Sequence, residues 1–304
     1  MSDVLERAAR EPDAVVRYGG GELQLADLYL PSTHAAGGGR TVVLLHGGFW
    51  RNRYDRTHLR PLAEALASDG FAVALPEYRR IGDPGGGYPG TFDDAALAVA
   101  ALPSLVAAAV TAAAGARGGW GGRARGRAED GGDGVGDGVG VGGRDARATP
   151  GTTVVGHSAG GQLAIWSQCI RAVGQPEGAG RLSSPPTSAV DADRVVALAG
   201  VLDVASAHRL GLSGGVVAEL LDAGRAGFAE RVAEVDPMQL PVPPSARVQT
   251  VLLHGSRDAE VPVEFSRAYA RREPGIRFDE IGDAGHFELI DPLSAAYPLL
   301  LAAL

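Results

Sequence analysis

Residues 156–160 read GHSAG, a G-x-S-x-G pattern. A β-branched run, Thr152 to Val155, leads into it, and a helical stretch with Leu163, Trp166 and Ile170 on one face follows. A serine on so sharp a strand-to-helix turn is held with its hydroxyl in the open. The neighbours must be small, because strand and helix pass close to the turn. Gly156 and Gly160 meet that need, and Ala159 and Gly161 leave room for a bound molecule. The helix also aims its first N–H groups at the turn, which favours developing negative charge. Ser158 is the candidate nucleophile.

A serine hydroxyl needs a base, and the base needs an acid to orient it. On a strand–turn–helix of this kind the chain order is serine, carboxylate, histidine. Residues 251–266, VLLHGSRDAEVPVEFS, run from a strand into a loop with two carboxylates, Asp258 and Glu260. Asp258 is favoured, because it stands just past the strand end and can point back across a sheet. Glu260, or the residues around Pro262, suit the start of a helix instead. Residues 282–292, GDAGHFELIDP, place His286 in a glycine loop just past the last strand, where it can swing over the serine. His286 is the candidate base, and Asp283 reads as a turn residue.

Acyl transfer also needs donors aimed at a tetrahedral oxyanion. One is the N–H of Ala159, the residue after the serine. The others are expected from LLHGGFWR, residues 44–51, where glycines let the backbone turn inward; Gly47, Gly48 and Phe49 are the candidates. Of the other histidines, His157 fills the free position of the turn and is expected to pack. His46 and His254, each before a glycine at a strand end, are expected to bond local backbone. His34, His58 and His208 read as surface. The lone cysteine, Cys169, lies in a helix and reads as inert packing. No His, Cys and Asp set has metal-ligand spacing, so no metal and no cofactor is expected.

The elements that must position these residues can be read from hydropathy. Strand candidates are 22–30, 41–47, 71–78, 152–158, 194–201, 248–256 and 276–282. The middle ones are continuous apolar runs, the mark of strands buried on both faces. Helix candidates near 56–68, 92–114, 160–172, 262–272 and 288–303 alternate with them. The pattern predicts a single α/β domain over 1–304 with a mostly parallel sheet. Residues 95–114 carry no charge and are long enough for a membrane span, but 11 of the 20 are Ala and Pro103 interrupts them. They read as a helix packed against the sheet.

Two stretches depart from the pattern. Within an insertion at 115–150, residues 115–143 contain 14 glycines in 29 positions and read as a disordered surface loop. Its glycine–aspartate run is too short and irregular for a calcium-binding β-roll. Residues 203–247 separate two strands by more than a crossover needs, and read as a small helical cap.

The chain has 304 residues and a net charge of −8, with arginine as its only long-chain base. That charge argues against nucleic acid or an anionic membrane as a partner. The first residues lack the apolar core of an export signal, and a cytoplasmic location is expected. A homodimer is left open.

HGGFW, residues 46–50, resembles the HGGG-type oxyanion motif of the esterase and lipase branch of the α/β-hydrolases. The aromatic followed by Trp50 is most similar to the kynurenine formamidase (arylformamidase) group and its bacterial esterase relatives. PEYRRIG (76–82), YPGTFDDA (88–95), GHSAGGQLA (156–164), HGSRDAEVP (254–262) and GHFELIDP (285–292) resemble other segments of that branch. The resemblance implies an α/β-hydrolase fold with a cap, and hydrolysis of a small-molecule ester or aryl formamide through Ser158, Asp258 and His286. Phe49, Trp50 and the cap would shape the pocket. Tyr78, Arg79 and Asp94 are expected to form a buried set that steadies the loop beside the oxyanion motif.

Overall fold

Strand β3, Thr41–Leu45, is buried at every position, and its side chains divide between two cores. Val43 and Leu45 face one and Val42 and Leu44 the other, as the two-residue strand period requires. The computed structural model describes residues 3–31, 39–118, 151–173, 192–244 and 247–304. Among these, eight strands form one sheet in the order β1-β2-β4-β3-β5-β6-β7-β8. The other strands are β1 (Ala14–Arg17), β2 (Leu25–Tyr29), β4 (Ala72–Pro76), β5 (Thr152–His157), β6 (Arg194–Leu198), β7 (Gln249–Gly255) and β8 (Arg277–Ile281). β2 runs antiparallel to both its neighbours, β1 and β4, and the other five pairings are parallel. This is the α/β-hydrolase fold expected from the sequence. β1 was not anticipated: four residues, alternately half-buried and exposed, leave too little pattern to read.

Helices cover both faces. α2 (Gly90–Gly118) and α3 (Ala159–Val173) pack on one, α1 (Arg60–Ser68) and α8 (Tyr297–Ala303) on the other. The apolar stretch at 95–114 is long enough to cross a membrane by length and composition. It lies instead on the sheet, with Ala95, Val99, Leu102 and Val106 buried in the core. α7 is Glu264–Ala270. The helix expected over 288–303 is broken. A short 3₁₀ turn, Glu288–Ile290, ends at Asp291, which is extended at ψ 112° because Pro292 disfavours helical geometry in the residue before it.

The 203–247 stretch holds three short helical segments: α4 (Val204–Arg209), α5 (Leu212–Leu220, with left-handed backbone at Ser213, Gly214 and Gly215) and α6 (Phe228–Val235). Buried Asp236 starts α4 by accepting the N–H groups of Val204 and Ala205, both at 3.1 Å. Arg231 closes the α5–α6 loop by donating to the carbonyls of Leu221, Asp222, Arg225 and Ala226. The Gly-rich stretch expected at 115–143 falls outside the described residues, except for its first four residues, which end α2.

Candidate active site

Ser158 stands between β5 and α3 with φ 57°, in the left-handed region. For a residue with a Cβ that conformation costs about 1–2 kcal/mol, so the surroundings must impose it. They do so through the backbone. The Ser158 N–H donates to the Leu198 carbonyl at 2.8 Å, and its carbonyl accepts from Gly161 at 3.0 Å and Gln162 at 3.2 Å. The flanking glycines serve close approach, as expected. A Cβ on Gly156 would run into the Gly160 carbonyl oxygen, and one on Gly160 into the carbonyl oxygens of Leu45 and His46.

Asp258 lies in the loop after β7, and His286 in the loop after β8. His286 Nδ1 is 2.7 Å from Asp258 Oδ2. Asp258 Oδ1 accepts the N–H groups of Glu260 and Val261, each at 2.8 Å. Burial opposes the charge on Asp258, but hydrogen bonds from His254, His286 and the Val261 N–H hold its carboxyl well below the usual range. Glu260 is exposed and does not start a helix: α7 begins at Glu264 with no side-chain cap. Asp283 sits in a turn at φ 61° and pairs with Arg257 on the surface.

His157 does more than pack. Its Nε2 lies 3.1 Å from the His286 carbonyl, and the two rings are 4.5 Å apart, so it backs the candidate base. Burial, and then the nearby His286, push its imidazole well below the ordinary value.

Across from Ser158, the loop 47–51 is wound left-handed: Gly48, Phe49 and Trp50 have φ 107°, 50° and 56°. Trp50 is fully buried in the core under this loop and does not reach the cavity, which corrects its expected place as a pocket wall. Gly48 and Phe49 do line the cavity. The loop is steadied from beneath. The Tyr78 hydroxyl donates to the His46 carbonyl at 2.7 Å, and its ring stacks on the His46 ring at 4.2 Å. Arg79 and Asp94 form a separate device, with the guanidinium donating to both carboxylate oxygens at 2.7 and 2.8 Å.

Glu77 was not singled out from the sequence, yet it is the hub. Its carboxylate meets His46 Nε2 at 2.9 Å, Arg80 at 2.9 Å and the Arg56 N–H at 3.2 Å. Burial opposes its charge, but His46 and Arg80 keep its carboxyl low. His46 therefore bonds a carboxylate as well as the local Gly47 carbonyl. The signal was available in PEYRRIG, where an acid at a buried strand end precedes two arginines.

Ser158, His286, His157, Gly48 and Phe49 share one cavity of about 280 Å³. Leu5, Tyr54 and Phe287 add apolar wall, and Ser213, from the segment between β6 and β7, also reaches it. His58, expected on the surface, also lines this cavity. His208 is half-buried, with its ring 4.8 Å from that of Phe228, and His34 lies outside the described residues.

Burial, and then the neighbouring His46, push the His58 imidazole from 6.5 down to about 4. Between those values the unfolded chain binds the proton and the folded protein does not. Stability from His58 is thus present above pH 6.5 and is lost as pH falls toward 4, by up to about 1.4 kcal/mol per pH unit. In urea titrations the advantage of the parent over His58→Gln should shrink across that window. A constant difference at every pH would contradict the assignment.

The alpha/beta hydrolase family profile matches residues 42–296. No curated protein matches the sequence. Among solved structures, a carbohydrate esterase from gut microbiota is similar at 16% identity and a TM-score of 0.66, over 96% of this chain and 97% of that one. Esterase B from Lactobacillus rhamnosis, inhibited by a tributyrin phosphonate, is similar at 20% identity and 0.61, over 97% and 85%. A propionate-bound esterase from the planctomycete Thermogutta terrifontis is similar at 19% identity and 0.59, over 95% and 90%. At such identities the likeness to these structures concerns the fold. The family profile spans most of the chain, including the serine turn and both loops that face it, and this chain belongs to the alpha/beta hydrolase family.

Proposed function

We propose that the protein is a serine hydrolase that cleaves carboxylic esters of small to medium acyl groups through an acyl-enzyme. The observation that carries this reading is the 2.7 Å contact of His286 Nδ1 with Asp258, beside a cavity that also holds Ser158 on its strained turn. Ser158 Oγ attacks the ester carbonyl. His286 Nε2 takes the hydroxyl proton and delivers it to the departing alcohol. Asp258 keeps a proton on Nδ1 and balances the imidazolium. The oxyanion forms against the N–H groups of Phe49 and Ala159, neither of which has a hydrogen-bond acceptor among the described residues. Water, deprotonated by His286, then attacks the acyl group. The acid leaves and Ser158 is regenerated.

The apolar walls from Leu5, Tyr54 and Phe287 suit a small apolar acyl group. The similar esterases with a tributyrin phosphonate or propionate support the same range. Cleavage of an aryl formamide such as N-formylkynurenine would use the same steps with an amine leaving. Its main support was the Phe49–Trp50 pair, and only Phe49 reaches the cavity, so the ester reading is preferred.

The test is a paired assay of p-nitrophenyl esters, acetate to octanoate, against N-formylkynurenine. kcat/KM should be highest for the short esters and exceed that for formylkynurenine by about tenfold or more. The reverse ranking overturns the ester preference. No turnover of either overturns the hydrolase reading.

A further inference from the structure

The carboxylate that orients His286 is itself held by a second histidine. His254, at the end of β7, is fully buried and takes no direct part in the steps above. Its Nε2 lies 3.0 Å from the Val261 carbonyl and 3.2 Å from Asp258 Oδ2. Both neighbours are acceptors when Asp258 is ionised, so Nε2 must carry a proton. Its Nδ1 lies 2.7 Å from the hydroxyl of Ser266, a buried residue of α7. A hydroxyl can donate to a bare nitrogen. The neutral ring with its proton on Nε2 therefore satisfies every partner: Ser266 donates to Nδ1, and Nε2–H is shared between Val261 and Asp258.

Oδ2 of Asp258 is the same oxygen that His286 Nδ1 contacts. Two imidazoles thus compete for one oxygen, while the Glu260 and Val261 N–H groups occupy the other. A donor on Oδ2 drains negative charge from it and weakens its hold on a protonated His286. We propose that Ser266 and His254 are positioning residues for the hydrolase, fixing Asp258 and moderating its pull on His286 so that the base is free at lower pH. This inference rests on the triad reading given above.

Other groups near the pair do not reproduce this effect. His157 faces His286 from the β5 turn and is held neutral by burial. His58 of the 56–59 turn lines the same cavity and is likewise held low, with Arg53 and Glu260 at the cavity wall. Glu280 of β8 interacts electrostatically with His254, and its own carboxylate is engaged by Arg267. Glu288 accepts the Gly285 N–H beside His286. None of these side chains donates to Asp258 Oδ2.

The experiment measures the acid limb of kcat/KM, which reports the free enzyme's base. In His254→Leu the limb should move to higher pH by about half a unit to one unit, because Asp258 then holds the His286 proton more tightly. His254→Gln keeps an N–H donor near the Nε2 position and should restore the limb. Ser266→Ala removes the tautomer lock and should shift it in the same direction by less, which keeps the test open if the leucine variant does not fold. A limb that stays fixed while activity falls evenly, or that moves to lower pH, overturns the proposal. Nitrogen-15 NMR of the imidazoles reads the geometry without catalysis. His254 should show a protonated Nε2 and a bare Nδ1, and the opposite tautomer overturns the inference even where the triad stands. Full activity in Ser158→Ala would remove the triad reading while leaving that tautomer as observed.

Discussion

Ser158→Ala is expected to lower kcat on a short p-nitrophenyl ester by about 10⁴-fold or more, with the fold unchanged. The loss is large because no neighbouring group can replace the attacking oxygen. The fold persists because backbone hydrogen bonds to Leu198, Gly161 and Gln162 set the turn, and alanine keeps all of them. The left-handed φ of 57° adds a second readout. Ser158→Gly should be as inactive as the alanine variant yet about 1 kcal/mol more stable in urea, because glycine carries no Cβ penalty there. Residual activity above a tenth would remove Ser158 from the mechanism. A glycine variant less stable than the alanine one would show that the strain is absent.

Asp258→Asn should lower kcat by about 10³- to 10⁴-fold, while Glu260→Gln changes it by less than about threefold. The asymmetry follows from hydrogen-bond direction. Oδ1 of Asp258 accepts two backbone N–H groups, so the asparagine oxygen must take that place. The amide NH₂ then faces His286 Nδ1 and donates to it. The ring's proton is driven to Nε2, where it can no longer accept the serine proton. Glu260 has no such contact; only its backbone N–H reaches Asp258. Equal losses in the two variants, or an active Asp258→Asn, would contradict the assignment.

These three residues could be picked out from the chain alone because each sits in a local pattern with a mechanical cause. The glycines around Ser158 mark a crossing too tight for any side chain, and Asp258 and His286 follow apolar strands at loops. The sheet was legible for the same reason, since strands buried on both faces carry continuous apolar runs. What stayed hidden depends on contacts between distant segments. Glu77 gathers His46, Arg56 and Arg80 only after β3 and β4 pair. His58 enters the cavity because the turn at 56–59 sets its ring 5.8 Å from that of His46, and no periodicity in residues 52–59 signals it. Trp50 misled by composition: an aromatic beside an oxyanion motif suggests a pocket wall, but its left-handed backbone sends the ring into the core. Ser266 lies on a helix face that reads as ordinary packing until β7 brings His254 against it.

The most direct measurement is intact-protein and peptide mass spectrometry after exposure to a fluorophosphonate, which reacts only with an activated serine. The parent protein should gain the mass of one phosphonyl group, carried by the peptide containing Ser158, and Ser158→Ala should gain none. An unmodified parent protein, or an adduct that persists in the alanine variant, would contradict Ser158 as the activated nucleophile.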